Sequence, residues 1–297
     1  MTPTTRRRFL TTSALAAGAF TLRARAEKKT EPLFKISLAQ WTLVKEIHSG
    51  KIDHLDFPKI AADNQIFAVE YVNTFFMNKA KDQKYLAEMK KRATDLGVTS
   101  VLIMCDREGK IGDPDDKKRA QTVDNHRKWI DAAKFLGCHA IRVNAGSQGS
   151  WQEQAKLAAD GLARLTEIGD KHGINVIVEN HGGLSSNPAW LAEVMKTVNH
   201  PRCGTLPDTG NFRIKDGETC DSYHGVDQLM PWAKGVSIKN KVWDNHGNQA
   251  DLDHLRMMKI VVNHGFHGHC GIEYGGLSGI SQAREQLEKA RASLATS

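Results

Sequence analysis

The regular alternation of short apolar runs with longer amphipathic ones constrains this chain more than any other feature. Eight apolar runs recur: Phe34 to Ala39, Phe67 to Val72, Val98 to Met104, Cys138 to Val143, Ile174 to Glu179, Cys203 to Asp208, Gly235 to Lys239 and Gly268 to Glu273. Most are apolar at nearly every position rather than at every second one, the pattern of strands covered on both faces. Between them lie stretches with helical spacing. Asp82 to Leu96 stops at Gly97, Lys117 to Leu136 stops at Gly137, and a helix opening at Ser150 runs to Lys171 before His172-Gly173. Glycine just past the last turn is the expected stop, and Ser150 with Glu153 three residues on makes a capping box. Further helices are expected over Asp53 to Asn64, from Asn187-Pro188 onward, in a short piece ending near Trp232, over Leu252 to Asn263 and over Ile280 to Leu294.

Strands that alternate with helices form parallel βαβ units. Eight such units in about 260 residues match the size of a closed barrel. The expectation is an α/β fold, a single (β/α)8 TIM barrel over residues 34–297. A doubly wound open sheet is the structural alternative, but no strand runs into a G-x-G-x-x-G phosphate loop. Residues 27–33 read as a polar lead-in. No Pro/Ser-rich linker breaks the chain after it.

Residues 1–26 have a different character. They carry Arg6-Arg7-Arg8-Phe9-Leu10, a weakly apolar middle, and Ala24-Arg25-Ala26. A basic head, a short apolar segment and small residues at an A-x-A site describe a signal peptide, and the paired arginines resemble the twin-arginine export signal. A basic tail with no targeting role is the alternative. The expected location is the periplasm or another exported site. The apolar segment is too short for a permanent span, so no stable membrane anchor is expected. This leader also explains the overall charge of +7: without its five arginines, 36 basic residues face 34 acidic ones, a net of +2. That near-balance argues against nucleic acid as a partner. The five cysteines form no CxxC pair, so they are expected as mostly buried thiols, not as a zinc site.

The chemistry lies where the late runs stop. Glu179, Asp208 and Glu273 each follow an apolar run directly. In a parallel barrel these are the carboxyl ends of strands, the face that carries active sites. Three carboxylates brought together there repel unless neutralised, and a divalent cation with oxygen ligands (magnesium, manganese or zinc) does this. Glu179, Asp208 and Glu273 are therefore the candidate metal ligands. A surface carboxylate or a helix cap is the plain alternative for any one of them alone. His181, two residues past Glu179, is a candidate substrate or metal contact. Asn144, Glu70 and Trp41, at the ends of earlier runs, are candidate substrate-binding groups. For Trp41, stacking on a sugar and capping of the barrel mouth are equal readings.

The series Val-Glu-Asn at 178–180, Pro-Asp-Thr-Gly-Asn at 207–211, Ser-Ile-Lys at 237–239 and Gly-Ile-Glu-Tyr at 271–274 resembles the xylose isomerase-like barrel superfamily, over most of the chain after residue 33. That resemblance implies metal-dependent sugar isomerases and epimerases, with a Glu, Asp, His and Glu set holding the ion. Carried over, it gives Glu179, Asp208 and Glu273. The family usually has histidine where this chain has Ser237, so the fourth position falls to water, substrate or another histidine such as His181. Ser237 then becomes a substrate contact. Lys239 keeps the family's lysine position.

The mechanism expected is proton abstraction next to a sugar carbonyl. Glu179 and Glu273 would act as the acid–base pair, and Lys239 would steady the oxyanion. The expected partner is a small carbohydrate, and a homodimer is an option. Three other readings remain open on the sequence: a keto-sugar glycoside lyase or hydrolase acting by β-elimination at the same site, a non-catalytic sugar-binding barrel, and the DNA-repair endonuclease branch of the superfamily. Asn144, Asn211 and Ser237 stand against the last, because that branch uses histidines in such places.

Overall fold

The computed structural model describes residues 31–296. The leader and most of the lead-in fall outside them. Eight strands build the barrel: β1 (Lys35–Ala39), β2 (Ala68–Val72), β3 (Thr99–Met104), β4 (Ala140–Val143), β5 (Asn175–Glu179), β6 (Cys203–Leu206), β7 (Val236–Ile238) and β8 (His269–Ile272). Every neighbouring pair is parallel, in the order β6-β5-β4-β3-β2-β1-β8-β7. The two outer strands of that order meet. Lys234 N donates to Thr205 O at 3.0 Å, Ser237 N to Pro207 O at 2.9 Å and Thr209 N to Ser237 O at 3.0 Å. These bonds bring the end of β6 against β7 and close the ring beside Asp208.

Helices cover the outside. The long ones, Asp116–Leu136 and Trp151–His172, end on Gly137 and Gly173 in left-handed geometry, as their sequences require. Ser150 and Glu153 cap each other's backbone reciprocally. Between helices and strands lies a thick apolar layer containing Phe57, Trp129, Trp190 and Met257, all fully buried. A smaller apolar cluster of Ala39, Ala68, Val72, Val101, Leu102, Met104, Ala140, Ile177 and Leu206 draws on both the starts and the ends of these strands. The buried polar groups Ser37, Glu70, Arg142, Glu179, Asp208 and Ser237 occupy inward positions of these strands or follow directly on them.

Three segments depart from the sequence reading. The polar stretches after β6 and β7 fold as antiparallel hairpins, Arg213–Lys215 with Glu218–Thr219, and Lys241–Trp243 with Gln249–Asp251. Each ribbon buries a single residue of its first strand, Ile214 or Val242, and runs of two or three residues are too short for a period of two to show in sequence. The stretch from Asp53 also splits, into a 3-10 turn His54–Asp56 and a helix Phe57–Asp63 with Pro58 in its first turn. Cys105, Cys138, Cys203 and Cys270 are buried free thiols as expected, and Cys220 is half-buried. No helix among the described residues is long and apolar enough to cross a membrane.

Candidate active site

Glu179 is the last residue of β5, Asp208 lies two residues past β6, and Glu273 directly follows β8. One carboxylate oxygen from each lies within 4.8 Å of the others. Glu179 and Asp208 are buried, and the Glu273 side chain is nearly so, at 7% exposure.

Backbone and amide groups lock the set. Asp208 Oδ1 accepts the N–H groups of Gly210 at 2.7 Å and Asn211 at 2.9 Å, a turn built by the Asp-Thr-Gly-Asn sequence. Asn211 Nδ2 donates to Glu179 Oε1 at 2.9 Å, so one residue orients two of the three acids. Asn180 ties the ends of β5 and β6 together: its Nδ2 donates to Asp208 O at 2.9 Å and its Oδ1 accepts Asp208 N at 2.7 Å. Ser237 Oγ donates to Glu273 Oε2 at 2.8 Å. Glycine is required at 210, because a Cβ there would stand 2.9 Å from both Lys239 Cγ and Lys241 O.

Two cations share this site. Lys239 Nζ donates to Glu273 Oε1 in a very short contact and lies 3.5 Å from Asp208 Oδ2. Arg142, inward on β4, places Nε 2.9 Å from Glu179 Oε2, within ion-pair range but without hydrogen-bond alignment. Its Nη1 donates to Asp106 Oδ1 at 2.7 Å. Glu179 Oε2 and Asp208 Oδ2 are thus buried oxygens with no hydrogen-bond donor.

The electrostatics follow. Burial raises Glu179 to about 8; Arg142 opposes the shift and the Glu273 and Asp208 charges add to it. Burial also raises Asp208, against the pull of Lys239. For Lys239 burial works downward, but Asp208, Glu273 and Glu179 outweigh it and raise its pKa. Arg142 is likewise raised, since Glu179 and Asp106 overcome its burial.

The profile of the xylose isomerase-like TIM barrel family matches residues 59–296. The chain belongs to that family. No curated protein matches it. Among solved structures, it is similar to a 3-keto-D-glucoside 4-epimerase from E. coli (16% identity, 87% of this chain and 99% of that one, TM-score 0.65). A xylose isomerase domain protein from Planctomyces limnophilus gives 16% identity over 91% of this chain and 100% of that one, with TM-score 0.70. A xylose isomerase-like TIM barrel protein from Mycobacterium smegmatis, in complex with magnesium, gives 15% identity over 88% and 97%, with TM-score 0.65. At such identities these likenesses show the shared barrel.

Within this family member, the remaining predicted residues sit in different places. Ser237 and Lys239 touch the acids directly. Asn144 joins the network behind Glu179, donating to Asp106 Oδ1 at 2.8 Å. Glu70 is fully buried, its Oε1 accepting Ser37 Oγ at 2.6 Å; burial raises it to about 8. His181 is exposed, and the groups that converge are the three carboxylates without it. Trp41 is 39% exposed beyond the end of β1, with its ring 6.0 Å from that of Phe75. Arg142 and Asn211 are the site residues that the sequence reading missed as contributors. A lone arginine at an inward position of an apolar strand was the available signal for the first. The Asp-Thr-Gly-Asn turn was the signal for the second.

Proposed function

We propose that this protein is a divalent-metal-dependent sugar isomerase or epimerase acting by proton abstraction next to a carbonyl. The observation that carries this reading is the convergence of Glu179, Asp208 and Glu273 within 4.8 Å. The donor set suits a hard or borderline cation: three carboxylates, with buried Glu179 Oε2 and Asp208 Oδ2 lacking a hydrogen-bond donor. Glu179, Asp208 and Glu273 would hold magnesium, manganese or zinc. When bound, such an ion would polarise the carbonyl and hydroxyl oxygens of the sugar.

The chain's own groups would do the rest. Glu179 would be the partner of Glu273 in the proton transfer, returning a proton on the opposite face of the substrate. Glu273 would be the base, aimed by the Ser237 hydroxyl and the Lys239 ammonium on its two oxygens. Asp208, fixed by two backbone N–H groups, would bind without moving a proton. Lys239 would stabilise negative charge as it forms on the substrate oxygen. The arginine-rich leader supports an exported, periplasmic setting for this chemistry. Glu273→Gln, which keeps shape but cannot take a proton, should abolish exchange of substrate hydrogen with deuterated solvent and leave the melting curve near wild type. Exchange at the wild-type rate in that variant would overturn the reading.

A further inference from the structure

The two hairpins that the sequence concealed make a chamber. They rise from the loops after β6 and β7, next to the acids. A cavity of about 400 Å3 is bounded by Arg213 on the first hairpin, Trp243 and Gln249 on the second, and His181, Ser186 and Asn211 below. Its size lies in the range of small-molecule sites, about 300–1,000 Å3. Trp243 and Gln249 are directly paired across their hairpin. The indole is held in place by its Nε1, which donates to Gly210 O at 3.1 Å. Asn211 belongs to both the acid site and this chamber, since its amide also holds Glu179 at 2.9 Å. A molecule seated at the acids therefore has this cavity beside it.

The lining selects a kind of ligand. Arg213 carries the one guanidinium of the wall, and Asp216 pairs with it in a very short contact. Beyond it the wall offers an indole, two amides, a hydroxyl and an imidazole. Aromatic rings with an apolar face flanked by hydrogen-bonding groups suit an uncharged polyhydroxylated ring, whose CH face packs on the indole while its hydroxyls reach the polar atoms.

We infer that the substrate is a glycoside of a keto-sugar: the keto unit lies at Glu179, Asp208 and Glu273, and a second sugar ring fills the hairpin chamber against Trp243. This rests on the proposed isomerase or epimerase reading and adds the substrate class to it.

The test uses the full chain loaded with manganese in deuterated water, with D-fructose as the single-ring probe and lactulose, turanose and isomaltulose as two-ring probes of different linkage. Hydrogen exchange gives kcat and KM for each. At least one disaccharide should exceed D-fructose tenfold in kcat/KM. That ratio should fall at least tenfold in both Trp243→Ala and Gln249→Ala, chiefly through a higher KM. Gln249 is exposed, so its loss does not threaten folding. D-fructose matching or beating every disaccharide, or variants that leave the ratio intact, would overturn the inference while the isomerase reading stands. Exchange with none of the sugars would sink the isomerase reading. The chamber is then judged by fluorescence titration with the same disaccharides: quenching in wild type but not in Trp243→Ala upholds the second-ring site, and no difference between the two removes it.

Discussion

Arg142 Nε lies 2.9 Å from Glu179 Oε2, with the guanidinium buried inside the barrel and its other arm on Asp106. The arginine is thus a fixed counter-ion at the edge of the acid cluster. Removing one partner of a buried ion pair strands the other, at a cost of about 3–5 kcal/mol when the orphan stays charged. Arg142→Met should lower the unfolding free energy measured by urea titration, and by more at pH 9 than at pH 7, because the stranded Glu179 carboxyl keeps its proton at the lower pH. The double variant Arg142→Met with Glu179→Gln should recover most of the loss, because the stranded carboxylate is gone. A double variant no more stable than Arg142→Met alone would show that the arginine acts through packing and Asp106 instead.

Lys239 holds the opposite side of the cluster, and any cation binding the three carboxylates must share them with its ammonium. Like charges at such distances disfavour each other. Lys239→Met should therefore bind manganese about tenfold more tightly in calorimetric titration while losing most turnover, since the group that steadies the oxyanion is removed. Weaker binding in this variant would mean that the lysine organises the ligands and does not compete for them.

Gly210 lets Lys239 reach this position. Its absent side chain leaves space that a Cβ would invade, 2.9 Å from Lys239 Cγ and from Lys241 O. Backbone on one side cannot yield cheaply. Gly210→Ala should cost about 1–3 kcal/mol by overpacking and weaken catalysis at the same time. An unchanged melting temperature with normal activity would show that the loop after β6 relaxes freely.

The sequence made the strands, the ring and the three acids legible because they rest on local signals. Apolar runs declare two-faced burial, and a carboxylate directly after each run declares the strand end. What it hid depends on where chains meet. Arg142 reads as one charge in Ala-Ile-Arg-Val, and only the closed barrel shows that it turns inward onto Glu179. Asn180 and Asn211 work across the gap between β5 and β6, a relation that no spacing within either segment encodes. The hairpin cavity escaped for a third reason: ribbons of two or three residues are too short to show a period, so Trp243 and Gln249 look like loop residues until they pair.

Glu70 gives the sharpest pH prediction: it is fully buried inside the barrel, and the Glu273 charge adds to the effect of its burial. Its carboxyl fills the space over Gly271, where a Cβ would stand 2.5 Å from Oε2 and 2.6 Å from Oε1. Burial raises its pKa from the ordinary 4.5 to about 8, despite the Ser37 hydrogen bond that works downward. Between those values the folded chain keeps a proton that the unfolded chain has released. The folded state then binds more protons, so this group's contribution to stability is flat below about pH 4.5 and falls as pH rises toward 8, by up to about 1.4 kcal/mol per unit. Glu179 shifts in the same direction, so wild-type curves alone do not isolate Glu70. The difference between wild type and Glu70→Gln does, since glutamine keeps the shape and cannot ionise. Urea midpoints at pH 5.5 and 7.5 should show wild type losing ground to Glu70→Gln at the higher pH. The same gap at both values would mean that Glu70 is already ionised in the folded barrel, with its buried oxygen compensated by a partner such as a bound water.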